Sequence, residues 1–281
     1  MKILVLGASG MAGHLVATYL VEQGHSVDTL SGKKRLDENT VIMDIMDKKA
    51  FDNFLISHKY DAIINCVGIL VKQSEERKDI STYLNSFLPH FLENKYRDSD
   101  TRIIHLSTDC VFSGKNPPYK EDSQYDGNLF YDRTKALGEI INDKDLTFRM
   151  SIIGPEIQEQ GIGLFNWFMQ QDGIVHGYTA SIWSGITTLQ LAKGIDSALS
   201  QGLTGLYHLV PKESISKHDL LCLIKDIFKK DNIKILPEEG VVVDKTLINT
   251  RADFDFLVPN YKTMINDLAK WIKDHRVMYS Y

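Results

Sequence analysis

Three glycines near the amino terminus restrict this chain more than any other feature. The run Lys2-Ile3-Leu4-Val5-Leu6 is apolar without alternation, as expected of a strand buried on both faces of a parallel sheet. Gly7-Ala8-Ser9-Gly10-Met11-Ala12-Gly13 follows at once and leads into a helical pattern at 11–23. In this G-x-x-G-x-x-G spacing Gly7 permits the tight turn, Gly10 lets backbone approach a pyrophosphate, and Gly13 lets helix pack closely on strand. The free N–H groups and positive dipole end of the helix then face phosphate. A plain strand-to-helix loop has no need of three glycines so placed. With Ser9 and Met11 at the helix start, the segment is read as a nucleotide-binding turn. It implies an α/β fold, a Rossmann-type doubly wound parallel sheet.

The residues after the turn keep the strand–helix alternation. A second strand at 25–30 ends in Ser31-Gly32-Lys33-Lys34-Arg35. In such a unit an acidic residue at this strand end would hold the ribose 2′-hydroxyl of NAD. Ser31 stands there instead, with three cations behind it, which suits a 2′-phosphate; Asp28 lies earlier, inside the strand. NADP(H) is therefore the favoured cofactor and NAD(H) stays open, with Ser31, Lys33 and Lys34 as the discriminating residues. Further strands are read at 41–43 and 62–67, with a helix at 47–58 that sets Ala50, Phe51, Phe54 and Leu55 at helical spacing. Ligands in open α/β sheets sit at the carboxyl ends of strands. Asp44, Ile45, Cys66, Val67 and Gly68 are thus expected to wall the adenine and ribose site.

A long helix is expected at 74–94, carrying Asn85, and a fifth strand at 102–106 runs into Ser107-Thr108-Asp109. Three small polar residues at a strand end read either as turn formers or as groups aimed at a substrate. Tyr131 and Lys135 open a helix read at 131–142, with Ala136, Leu137, Ile140 and Ile141 as its apolar face. One helical turn puts phenol and ammonium on the same side. A free tyrosine has a pKa of about 10, too high for proton exchange at neutral pH. An adjacent ammonium is expected to lower it and bring the phenol into useful acid–base range. The spacing alone is common in unrelated chains; its weight comes from the glycine turn and Thr108. After a strand at 146–150 the alternation weakens. A strand at 206–210 and a helix at 213–228 are read there, with Ser214, Ser216 and Asp219 near the helix start as caps. The expected organisation is a nucleotide-binding domain at 1–150 and a smaller, partly interleaved α/β substrate-binding region at 151–281.

Composition removes several function classes. A net charge of −5 argues against a general nucleic-acid binder. No apolar run reaches the roughly 18 residues of a membrane span, and the short run at the start stops at glycines, unlike a signal peptide. Cys66, Cys110 and Cys222 match no metal spacing and no disulfide framework. The expectation is a soluble, cytoplasmic protein with no nucleic-acid or membrane partner.

The glycine turn at 7–13, Ser-Thr-Asp at 107–109 and the Tyr131…Lys135 pair occur in an order that resembles the extended short-chain dehydrogenase/reductase family. Within it, STDCVFSG (107–114), FYDRTKALGE (130–139) and YDAIINCVG (60–68) are similar to the dTDP-4-dehydrorhamnose reductase branch; WSGITTLQLA (183–192) and GLYHL (205–209) continue the likeness more weakly. The resemblance implies reduction of the 4-keto group of a nucleotide-linked 6-deoxyhexose. It implies that Tyr131 donates the proton, Thr108 hydrogen-bonds the substrate carbonyl, and Lys135 holds the nicotinamide ribose and lowers the Tyr131 pKa. Asn85 would support Lys135 through water, Asp109 would lie near the substrate, and Ser107 beside the cofactor. A homodimer is compatible with the branch, and Mg²⁺ is implied by family resemblance only. Two segments depart from it. Arg149-Met150-Ser151-Ile152 stands where the branch carries Arg-Thr-Ser-Trp, and the loop after Gly68 lacks the usual Tyr-Thr start. Both touch the substrate side, so the sugar is left open, a UDP-linked N-acetylated 4-ketohexose or a talose precursor included. Two other readings also stay open: a nucleotide-sugar epimerase, which would hold NAD tightly, and a non-catalytic NADP-binding regulatory subunit, since the regulatory subunit of methionine adenosyltransferase resembles the same branch.

Overall fold

The computed structural model describes residues 1–158, 161–279 and 281. Its centre is a seven-stranded sheet built from β1 (Lys2–Leu6), β2 (Ser26–Ser31), β3 (Val41–Ile42), β4 (Ala62–Asn65), β5 (Arg102–Thr108), β6 (Leu146–Met150) and a last strand, Gly205–His208. From one edge to the other the order is Gly205–His208, β6, β5, β4, β1, β2, β3. Every pairing is parallel. The chain winds outward from β1 to β3, then returns to the other side of β1 as β4. Strand order therefore reverses between β1 and β4, which opens a crevice beyond their carboxyl ends.

The unbroken apolar strands are explained by burial on both faces. Ile3 and Val5 of β1 enter one core with α1 (Met11–Glu22) and the helices Thr188–Gln201 and Tyr261–Asp274. Leu4 and Leu6 enter the opposite core with α2 (Lys48–Ser57) and the helix Leu88–Lys95. β4 and β5 divide the same way, Ile64 and Ile104 on the first side, Ile63 and Ile103 on the second. The predicted doubly wound α/β fold is what the structure contains.

Two helices differ from the sequence reading, for identifiable reasons. The helix expected at 74–94 is broken into Val71–Glu76, Lys78–Ser81, a π-helical turn Thr82–Phe87 and Leu88–Lys95. Pro89 has no N–H for the carbonyl four residues back, which is that of Asn85. The freed Asn85 carbonyl turns toward Gly138, where a Cβ would stand only 1.9 Å from it. The helix expected at 131–142 runs only from Phe130 to Leu137 and stops at Gly138. Its buried face is Tyr131, Asp132, Thr134 and Lys135, while Leu137 and Ile141 are 67% and 59% exposed. Ile140 reaches the core, its backbone held on both sides by the Thr147 hydroxyl, and Ala136 packs at the edge of a small cluster around Phe112 and Val111.

Beyond residue 150 the chain makes three small sheets. They pair Ile152–Ile153 with Ile186–Thr187, Ser181–Trp183 with Ile215–Ser216 and Val243–Asp244, and Gly173–Tyr178 with Ile233–Glu238. The helix read at 213–228 begins at Lys217, capped by Ser216, whose Oγ accepts the Asp219 N–H at 3.0 Å.

Candidate active site

The glycine turn has the geometry its spacing required. Gly7 sits at φ +77° and donates to the Leu30 carbonyl at 2.9 Å. A Cβ on Gly13 would lie 2.2 Å from the Gly7 carbonyl oxygen, so only glycine allows this contact of helix on turn. Gly10 caps α1 without a side-chain acceptor, and no acidic residue occupies the first helical turn. The first N–H groups of α1 thus have no side-chain acceptor at the switch point, a seat for phosphate.

Around the turn the remaining cofactor residues take up distinct places. Ser9 and Ser31 are hydroxyl to hydroxyl at 2.6 Å. Lys33 and Lys34 are exposed, whereas Arg35 folds back onto the carbonyls of Glu38 (3.2 Å) and Thr40 (2.5 Å). Asp28 points elsewhere, to the Tyr60 hydroxyl at 3.0 Å and Lys2 at 3.6 Å. Asp44 is exposed and accepts the Met46 N–H (2.9 Å); the Ile45 carbonyl accepts the Tyr83 hydroxyl (3.2 Å). Cys66 and Val67 pack on Gly7, with a Gly7 Cβ falling 3.1 Å from the Cys66 backbone, and Gly68 lies against Asn85 Oδ1.

Thr108 ends β5, its Oγ1 donating to Asp109 (3.1 Å) and accepting the Cys110 N–H (3.1 Å). The Tyr131 phenol faces that hydroxyl. Its acidity runs opposite to the sequence expectation. Burial pushes the phenol pKa up, the nearby carboxylates of Asp109 and Asp132 add to that, and the Thr108 hydroxyl opposes it. Lys135 does not offset this, because its Nζ donates to the Leu106 carbonyl at 2.7 Å and stands 3.4 Å from His105 Nε2. Burial lowers Lys135 itself to about 8, with the Glu139 carboxylate acting in the opposite direction. The phenol thus stays protonated through neutral pH, the form a proton donor needs, but it is a weaker acid than a free tyrosine.

Asn85 is fully buried and does not touch Lys135. Its Oδ1 accepts the Ile69 N–H (3.1 Å) and its Nδ2 donates to Thr134 Oγ1 (3.2 Å) and Ser81 Oγ (3.3 Å). It ties the loop after β4 to the helix of the Tyr–Lys pair one residue from Lys135. The Ser107 hydroxyl is engaged within the protein. Successive residues of a strand face opposite sides, and Ser107 donates inward to Glu139 Oε1 at 2.5 Å. Glu139 is paired with Arg149 at 2.9 and 2.6 Å, both side chains out of solvent. Arg149 continues to His208 Nε2 at 2.8 Å, and Tyr125 donates to Glu139 Oε2 at 2.7 Å.

Two cations that sequence reasoning missed complete the site. Lys217 places its ammonium 4.9 Å from the centroid of the Trp183 ring. The Lys245 stem passes 3.4 Å from where a Gly114 Cβ would stand. Both lie near enough to Asp109 to lower its pKa, which burial raises. More than a hundred residues separate them from Thr108, so no local motif announces them. Among the described residues no group of three or more His, Cys, Asp or Glu is placed to hold a metal ion, so Mg²⁺ gains no ligands here. None of the described helices is long and apolar enough to cross a membrane, and all three cysteines are free thiols.

A phosphate-facing glycine turn at the switch point, with Thr, Tyr and Lys gathered at the neighbouring strand end, defines an extended short-chain dehydrogenase/reductase site. The chain belongs to the family described as RmlD substrate binding domain, which matches residues 1–153, more than half of its length. The resemblance read from the motifs is thereby borne out. A probable low-salt glycan biosynthesis reductase, Agl14 of Haloferax volcanii, is 25% identical over 262 residues, 87% of this chain and 85% of that protein. The dTDP-4-dehydrorhamnose reductase of Mycolicibacterium smegmatis is 30% identical over 141 residues, 49% of this chain and only 40% of that protein. Among solved structures, a dTDP-4-dehydrorhamnose reductase from Bacillus anthracis in complex with NADP superposes with a TM-score of 0.81 at 17% identity, over 96% of this chain and 99% of that one.

Proposed function

We propose that this protein is an NADPH-dependent reductase of the 4-keto group of a nucleotide-linked hexose, with residues 151–281 supplying most of the sugar-nucleotide contacts. The observation that carries the reading is the facing pair of Tyr131 and Thr108 hydroxyls at the carboxyl end of β5, with Lys135 one turn away. The glycine turn fits the cofactor pyrophosphate, since Gly13 lets α1 pack directly on the Gly7 carbonyl and the first α1 N–H groups meet no side-chain cap. NADPH, when bound, supplies the hydride. Tyr131 then gives its proton to the alkoxide oxygen forming at carbon 4. Thr108 donates a second hydrogen bond to the same oxygen, where charge develops in the transition state. Lys135 in its charged form holds the ribose and adds a fixed positive charge. Lys217 and Lys245 face this oxygen's neighbourhood from the other part of the chain and suit the diphosphate of the substrate.

Two substitution tests follow from this arrangement. Lys33→Ala with Lys34→Ala is expected to weaken NADPH at least tenfold and NADH hardly at all, because two phosphate contacts are lost; titration of both cofactors decides it, and equal losses would show that the loop does not read the 2′-phosphate. Lys217→Met with Lys245→Met is expected to raise KM for the sugar nucleotide at least tenfold while KM for NADPH stays within about twofold; an unchanged sugar KM would remove both lysines from the substrate site. The reading as a whole is tested by NADPH oxidation against a panel of dTDP- and UDP-linked 4-ketohexoses. Net consumption with one member supports the reductase. Tightly retained NAD without net consumption would point to an epimerase, and NADPH binding with no turnover to the regulatory reading.

A further inference from the structure

A buried polar chain lies beneath Lys135, and the proposed reaction does not use it. Asn65, at the end of β4, accepts the Val67 N–H on Oδ1 at 3.1 Å, so its Nδ2 is the donor end. That Nδ2 lies 3.2 Å from His105 Nδ1. Nδ1 is therefore an acceptor and carries no proton. A neutral imidazole has one N–H, which these partners assign to Nε2, the nitrogen 3.4 Å from Lys135 Nζ. His105 is fully buried, and burial, helped by the charges of Lys135 and His90, holds its pKa well below the ordinary value, so the ring is neutral.

We infer that His105 is a positioning residue for Lys135: its Nε2–H, fixed by Asn65, donates to the lone pair of the uncharged amine and gives that form a seat beside the Leu106 carbonyl. An ammonium has three donors and no lone pair, so it cannot accept this bond. The other groups facing Lys135 do not replace it with an anion. Glu139 is committed to Arg149 at 2.6 Å and to Ser107. The Cys66 thiol is pushed up to about 12 by burial and stays protonated. The seat thus favours the neutral amine, in line with the Lys135 value of about 8. Charging Lys135 is coupled to leaving the seat for the side of Tyr131, where the ribose would be held. The working role of Lys135 rests on the reductase reading; the tautomer and the seat do not.

The test uses the full chain with nitrogen-15 histidine and carbon-13 lysine. In the wild type His105 is expected to show a bare Nδ1 and a protonated Nε2 by nuclear magnetic resonance. In Asn65→Ala the ring is free to turn its bare nitrogen to the ammonium, so the proton affinity of Lys135 is expected to rise about tenfold, read as the midpoint of its Cε titration. NADPH binding checks that the variant is folded. A protonated Nδ1 in the wild type, which needs no variant, would overturn the inference, as would an unchanged Lys135 midpoint in folded Asn65→Ala. Failure of the sugar panel would sink the reductase reading and leave this result untouched.

Discussion

Tyr131→Phe is expected to lower the rate of sugar reduction by roughly a hundredfold to ten-thousandfold, the ordinary contribution of a positioned proton donor. The ring is buried in the site, and Phe keeps its shape, so the packing of the Phe130–Leu137 helix is retained. What disappears is the proton and one of two hydrogen bonds to the forming alkoxide. NADPH affinity should change by no more than about twofold, because the glycine turn and the loop after β2 lie outside the substitution. Stopped-flow reduction and fluorescence titration of NADPH, run on the same preparation, separate the two effects. Wild-type turnover by the variant would remove Tyr131 from the chemistry.

Glu139→Gln is expected to be among the most destabilising single changes in the chain. Glu139 and Arg149 are both out of solvent, and Ser107, Tyr125 and His208 are bonded to one or the other. Removing one charge leaves the Arg149 guanidinium buried without its partner, a loss of about 3–5 kcal/mol. In a chain of this size that corresponds to a fall in Tm on the order of 10 °C. The double variant Glu139→Leu with Arg149→Met should recover much of it, since a buried pair contributes little over well-packed apolar residues. Calorimetry of the three proteins tests this, and a single variant with unchanged Tm would show that the pair is not what holds β5, β6 and the loop at 121–125 together.

What was legible in the sequence was local. The glycine turn, the unbroken apolar strands and the Tyr–Lys spacing each lie within a few consecutive residues, and each has one dominant physical cause. The errors arose where the cause was distant. Leu137 and Ile141 look like a core stripe, but the helix spends its inner face on Tyr131, Thr134 and Lys135 and ends where Gly138 admits the Asn85 carbonyl. The partners of the Ser107 hydroxyl, Glu139 and through it Arg149, lie thirty to forty residues away and leave no local signal. The direction of the Tyr131 shift was misjudged because helical spacing sets the separation of two side chains and says nothing of how deeply the phenol is buried. Lys217 and Lys245 were invisible for the same reason: only the fold carries them to Asp109.

The central claim is hydride delivery to carbon 4 of a nucleotide-linked ketosugar, and isotopic transfer measures it most directly. NADPH carrying deuterium at the transferable position should be incubated with a 4-keto-6-deoxyhexose linked to dTDP, and with its UDP-linked counterpart. The account predicts one deuterium per turnover at carbon 4 of the product, with equal consumption of NADPH, and both at least about a hundredfold slower in Tyr131→Phe. A protein that binds NADPH yet leaves both sugars unlabelled and unreduced would contradict it.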